Sequence, residues 1–184
     1  MVQRNVAVVV GSLRKASYNR RMAHALAKLA PDNLNLTIVE IGDLALYDED
    51  LEAAGAPASW VKFRDEIRPA DAVLFVTPEY NRSVPGVLKN AIDVGSRPYG
   101  KSVWSKKACA IVSVSPGAIG GFGANHHLRQ SLVFLDMPVL QQPEAYVGGA
   151  ATLFTDDDSI ASEGTAKFLT GLMTAFADLI ERTK

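Results

Sequence analysis

The chain has 184 residues, 21 % of them charged, and a formal net charge of −1; this fits one globular domain, 1–184, able to bury a core without covalent staples. Near-neutrality gives no global attraction to nucleic acid or to an anionic membrane. The one cysteine, Cys109, excludes an intrachain disulfide and a cysteine-rich metal or iron–sulfur site.

The first apolar run spans about six residues, too short for a membrane helix, and no small-residue cleavage pattern follows it, so a cytoplasmic location is expected. Val6 to Val10 is a continuous β-branched and alanine run, the pattern of a strand buried on both faces. Gly11-Ser12-Leu13-Arg14-Lys15-Ala16-Ser17-Tyr18-Asn19 comes next, with Met22, Ala25, Leu26 and Leu29 at helical spacing behind it. Hydroxyls, an amide and two cations thus lie between a buried strand and a helix amino terminus, where free N–H groups and the helix dipole favour an anion. Ser12, Ser17 and Asn19 add donors, and Arg14 adds charge-assisted bonds. The simpler reading is that Ser and Asn merely cap the helix, but a cap needs no cations. Only Gly11 of a Gly-x-Gly-x-x-Gly fingerprint is present, and no Walker glycine-lysine pair occurs.

Leu34 to Ile41 predicts a second strand, Gly42 to Gly55 an acidic loop, and Trp60, Phe63 and Ile67 one face of a helix from about Ala58. A third strand is expected over Ala72–Val76. The loop Thr77-Pro78-Glu79-Tyr80-Asn81-Arg82 follows, rigid at Pro78 and able to turn backbone N–H groups and an aromatic toward a flavin-like ring. A Pro-initiated turn alone explains Pro78 but not Glu79-Tyr80-Asn81. Ser83 is expected to cap the next helix, with Pro85 in its first turn and Val87, Leu88, Ala91 and Ile92 as its stripe.

Ala108–Val114 reads as the fourth strand. Ser115-Pro116-Gly117 opens a loop with four glycines in seven residues, either simply flexible or built for close backbone approach. Leu128, Leu132 and Leu135 mark a helix, Val139–Val147 holds a short fifth strand, and Phe168, Leu169, Leu172, Met173, Phe176, Leu179 and Ile180 an amphipathic last helix. Adjacent His126 and His127 point apart and make a poor metal pair, reading as a solvated helix start. Cys109 reads as a structural thiol, and Asp156-Asp157-Asp158 as a helix-start charge run. No metal site is expected.

Five strands alternating with five helices predict an α/β fold: a parallel sheet with helices on both faces and right-handed crossovers. Ligands then bind at the carboxyl ends of the strands, which singles out the loops after strands one, three and four.

Gly-Ser-x-Arg-x-x-Ser-x-Asn from Gly11, Pro78-Glu-Tyr-Asn, Ser83-Val-Pro-Gly, Leu88-Lys-Asn-Ala-Ile-Asp, His127-Leu-Arg-Gln and the Phe168–Phe176 stretch together resemble the NADPH-dependent FMN reductase family, in particular its bacterial quinone, chromate and azo reductases. The resemblance implies a flavodoxin-like three-layer α/β/α sandwich with a five-stranded parallel sheet in the order 2-1-3-4-5. It implies FMN as cofactor, with Ser12, Arg14, Ser17 and Asn19, and the backbone of Lys15 and Tyr18, on the phosphate. Pro78, Glu79, Tyr80 and Asn81 would line the ring and ribityl chain, and Ser115 and Gly117 would close the other side. NADPH or NADH would deliver hydride in a ping-pong cycle, and a quinone, azo compound, chromate or free flavin would take the electrons. No side chain is expected to do the chemistry itself. A homodimer or homotetramer is implied, with Arg97–Trp104 near the neighbouring subunit's flavin. Two alternatives stand beside it: a flavodoxin-type carrier that oxidises no NAD(P)H, which near-neutral charge disfavours, and a non-catalytic nucleotide-binding module.

Overall fold

The computed structural model describes residues 2–184. The elements are β1 (Arg4–Val10), α1 (Tyr18–Leu29), β2 (Leu34–Val39), α2 (Glu49–Gly55), α3 (Ala58–Ile67), β3 (Ala72–Thr77), α4 (Gly86–Gly95), β4 (Ala108–Val114), α5 (Phe122–Phe134), β5 (Ala145–Val147), a 3-10 turn (Ala150–Thr152) and α6 (Glu163–Arg182). All strand pairings are parallel, and the order is β2-β1-β3-β4-β5, the flavodoxin-like arrangement.

Continuous apolar runs put β3 and β4 in the middle of the sheet, with every residue of both buried. The edge strand β2 alternates instead, as a half-covered strand must. Strand periodicity sends Val6, Val8, Leu74, Val76 and Val112 to one face, against Met22 and Leu26 of α1 and Leu172 and Phe176 of α6. Ala7, Val9, Val73, Phe75 and Ile111 go to the other, against Trp60, Phe63, Leu88 and Leu128. The register sets the strand ends level: Val10 pairs with Val76, and Thr77 with Ser113. Loops 11–17, 78–85 and 115–121 therefore leave the sheet side by side, at the point where the chain, having gone from β1 out to β2, returns to the other side for β3.

Several expectations change. The second half of the acidic loop is helical: Asp48 caps α2, its carboxylate accepting from the N–H of Asp50 and Leu51. Six α-helices thus stand among the described residues, not five. No residue of α2 is buried, so it carries no apolar stripe to announce it. Pro85 occupies the cap position of α4 and makes no side-chain cap bond, while the Ser83 hydroxyl lies 3.0 Å from His127 Nδ1. The fifth strand is shorter than its window, with Val139 adding one bridge to Cys109. Phe168 is 40 % exposed, outside the buried stripe of α6. The aspartate run does not start a helix, since Ser162 caps α6. Instead Asp158 binds Arg21 and His24, and Asp157 binds Lys28, tying this turn to α1.

Candidate functional site

Loop 11–17 begins where Gly11 N–H donates to Val76 C=O (2.8 Å). A Cβ at Gly11 would lie 3.1 Å from both Thr77 Oγ1 and Leu88 Cδ2, so glycine lets the loop pass this close to β3 and α4. Ser17 is the cap of α1, its hydroxyl accepting from Arg20 N–H (3.2 Å). The same hydroxyl still has a proton to donate. The first turn of α1 holds no acidic side chain, so nothing in it neutralises the positive end of the helix dipole. Ser12, Ser17 and Asn19 are buried, while Arg14 and Lys15 are exposed. The Arg14 guanidinium lies 6.0 Å from the Tyr18 ring.

Asn19 joins this loop to the end of β4, Nδ2 donating to Val114 C=O over a long 3.4 Å. Its Oδ1 is buried with no partner, alone in this among the described buried side-chain atoms. A buried acceptor without a donor is costly and rare in folded proteins. A ligand with a hydroxylated chain and an anionic end fits both features: a hydroxyl for Asn19 Oδ1, and an anion for the α1 terminus. FMN has both.

Loop 78–83 is a tight turn. Tyr80 and Ser83 exchange both backbone bonds (3.1 and 2.9 Å), and Asn81 and Arg82 take φ of 50° and 63°. Glu79 turns its carboxylate away from solvent to α5, accepting from Ala124 N–H (3.1 Å) and the Arg82 guanidinium (2.8 Å). Burial resists ionisation there, but the N–H groups of Ala124 and Gly123 and the Arg82 charge outweigh it, holding the carboxyl below its usual range.

In loop 115–121 the Ser115 hydroxyl accepts from Gly117 N–H (3.1 Å). Gly120 is left-handed, and a Cβ there would stand 2.4 Å from the Tyr146 carbonyl carbon. Left-handed Gly121 caps α5. Around the three loops, Leu13, Tyr80, Ile119 and Phe122 each leave about half their surface exposed. Such a rim suits a planar aromatic ligand.

The structure therefore buries each of Ser12, Ser17 and Asn19 and sets loop 78–83 against loop 115–121, where a Cβ at Gly121 would stand 3.7 Å from Glu79 Cβ. The side chains of Arg14 and Lys15 lie in solvent and form no ion pair among the described residues. Sequence reasoning missed Asn125, fully buried, which reaches Ser113 Oγ and Ala145 C=O (both 3.4 Å) and accepts from Arg129 (3.1 Å). It also missed the bonding of His127. These depend on contacts between segments far apart in the chain. His126 Nε2 lies 3.1 Å from the Tyr146 hydroxyl, beside Phe122. An apolar hollow of ≈ 250 Å³ between Asn5–Ala7, Thr37–Val39 and Pro69–Ala70 sits away from these loops. No metal-binding group of three or more His, Cys, Asp or Glu occurs among the described residues, and none of their helices is long and apolar enough to cross a membrane.

Residues 4–152 match the family model of the NADPH-dependent FMN reductases. The chain is 67 % identical over 177 residues to a quinone reductase of Pseudomonas putida, covering 96 % of this chain and 95 % of the relative. It is 46 % identical over 172 residues to a 2-hydroxy-1,4-benzoquinone reductase of a Burkholderia species, covering 94 % and 93 %. Among solved structures it superposes on the flavoenzyme NAD(P)H:acceptor oxidoreductase FerB of Paracoccus denitrificans with a TM-score of 0.93 at 45 % identity, over 98 % of each chain.

Proposed function

The chain belongs to the NADPH-dependent FMN reductase family, and from that premise we propose that it is an NAD(P)H-dependent quinone reductase carrying FMN across the carboxyl ends of β1, β3 and β4. The carrying observation is the start of α1: an uncompensated helix terminus beside a buried Asn19 oxygen that lacks a donor. Ser12, Arg14, Ser17 and Asn19, with the backbone of Lys15 and Tyr18, hold the phosphate end. Pro78, Tyr80, Asn81 and the backbone of Glu79 line one side of the ring, and Ser115 and Gly117 close the other.

When bound, FMN supplies the redox chemistry, passing an electron pair from the reduced nicotinamide nucleotide to the acceptor. The chain anchors it, orients it and shields part of its ring. The half-exposed rim of Leu13, Tyr80, Ile119 and Phe122 leaves a face open to flat acceptors, so quinones come first, with azo compounds, chromate and free flavin accessible to the same face. Exposed Val133, Phe134 and Tyr99 support a homodimer or homotetramer.

Purified protein mixed with NADPH and a benzoquinone should oxidise the nucleotide only when FMN is bound. A flavodoxin-type carrier would keep its oxidised flavin spectrum under anaerobic NADPH, and that result would sink the reductase reading. The chain's charge of −1 lacks the strong acidity that suits such a carrier.

A further inference from the structure

Glu79 lies in the ring loop, yet its side chain is only 10 % exposed and is engaged elsewhere. One carboxylate oxygen accepts from the N–H of Ala124, in the first turn of α5, and the other binds Arg82 within the turn itself. Gly123 makes the approach possible: a Cβ there would stand 2.9 Å from Glu79 Oε2 and 2.9 Å from Arg82 C=O. A second tie runs from Ser83 Oγ to His127 Nδ1 (3.0 Å). These contacts hold a turn in which two consecutive non-glycine residues, Asn81 and Arg82, have left-handed backbone. Such conformations persist only where the surroundings over-determine them. On the other side, left-handed Gly120 and Gly121 lead from loop 115–121 straight into α5. The α5 terminus is thus the common anchor of both ring loops.

We propose that Glu79 is a positioning residue of the flavin site: its carboxylate, clamped on the amino end of α5, fixes the separation of loops 78–83 and 115–121, and it acts through α5 rather than by touching the ring. This rests on the FMN reading above.

The test is a double-mutant cycle of Glu79→Gln and Gly123→Ala on the full chain, reading the FMN dissociation constant and the visible band of bound flavin at saturation. Gly123 is helical with no left-handed φ, so alanine is compatible with its backbone, and its methyl pushes on the clamp from the far side. Each single change should weaken FMN binding about tenfold and move the flavin band in the same direction. The double variant should fall well short of the product of the two singles, because both changes disturb the contact of Glu79 with the start of α5, although the added methyl also presses on the Arg82 carbonyl. A band unmoved at saturation, with only the apoprotein melting temperature lowered, would reduce Glu79 to a folding residue and overturn the proposal. So would effects that multiply, or a silent Gly123→Ala, since Glu79 would then act on the ligand directly. If Glu79→Gln does not fold, Glu79→Asp, one methylene short of α5, is read in its place. Wild-type protein that binds no FMN would defeat the functional reading itself; wild-type binding with unchanged variants would defeat only the positioning role.

Discussion

Asn90 shows how one side chain can set a whole segment. It is 8 % exposed on α4, where its Oδ1 accepts from Tyr47 N–H (2.8 Å) and its Nδ2 donates to the carbonyls of Leu44 (3.2 Å) and Ala45 (2.9 Å). Three main-chain groups of the segment after β2 are thus satisfied by one amide. The same segment begins at Gly42, where a Cβ would stand 3.4 Å from Leu13 Cδ2 of loop 11–17, so Asn90 supports that loop at one remove. Asn90→Leu keeps the volume and strands the Tyr47 N–H and the Leu44 carbonyl, while the Ala45 carbonyl keeps its bond from the Trp60 indole N–H (3.0 Å); this should cost about 2–4 kcal/mol. Urea unfolding should show a lower midpoint with an unchanged slope. Cys109 offers the opposite case, a reactive side chain with nothing to do. It is buried in β4, and burial pushes its thiol well up, with only a small opposing effect from the Arg129 charge. It therefore stays protonated at neutral pH, and an aromatic disulfide reagent should label the native protein negligibly but label one thiol per chain in guanidinium.

At the scale of elements, α2 is held by one ion pair instead of a buried face. Glu52 binds Arg64 through both oxygens (3.0 and 2.5 Å), and Arg64 also donates to Val94 C=O (2.9 Å) with its side chain 6 % exposed. Glu52→Ala leaves a buried guanidinium half-paired, and a loss of about 3 kcal/mol is expected in the same unfolding assay. Hydrogen exchange should find α2 among the least protected helices. This explains why the helix was illegible in the sequence: periodicity reports buried faces, and α2 has none. Strands β1, β3 and β4 were legible because burial on both faces demands unbroken apolar runs such as Val6–Val10. The turn from β1 into α1, with Ser17 as the helix cap, was legible from its composition at a known place in an α/β unit. The destinations of Glu79 and Asn125 were not, because Ala124 lies 45 residues from Glu79 and Ala145 lies 20 from Asn125, and they become neighbours only through the fold. The aspartate turn was misread for the same reason: its partners are on α1. There, hydrogen bonds from Thr155 and Lys28 hold the Asp157 carboxyl down, and those from His24 and Arg21 do so for Asp158. With folded values below the unfolded one, the stabilisation is present above about pH 4 and is lost as pH falls through the folded values. Acid titration followed by amide NMR should loosen residues 155–159 from α1 below pH 4, before the sheet unfolds.

For the molecule as a whole, the strand order converges three loops from distant parts of the chain at one end of the sheet. A ligand bound there touches the ends of β1, β3 and β4 at once, and only the folded sheet brings those ends together. FMN should therefore bind the native state and not the unfolded chain, raising stability by RT ln(1 + [L]/Kd). At free FMN one hundred times its dissociation constant this is about 2.7 kcal/mol. For a chain of this size each kcal/mol moves the melting temperature by about 2–4 °C, so a rise of about 5–10 °C is expected by calorimetry. Riboflavin separates the two ends of the site. It has the same ring and hydroxylated chain but no phosphate, so it can meet loops 78–83 and 115–121 and Asn19 Oδ1 while leaving the α1 terminus unsatisfied. At the same concentration it should raise the melting temperature far less. The difference should shrink with added salt, because Arg14 and Lys15 stand in solvent, where their attraction for the phosphate is screened. A riboflavin shift as large as that of FMN would place the affinity in the ring loops and remove the phosphate from the account of loop 11–17.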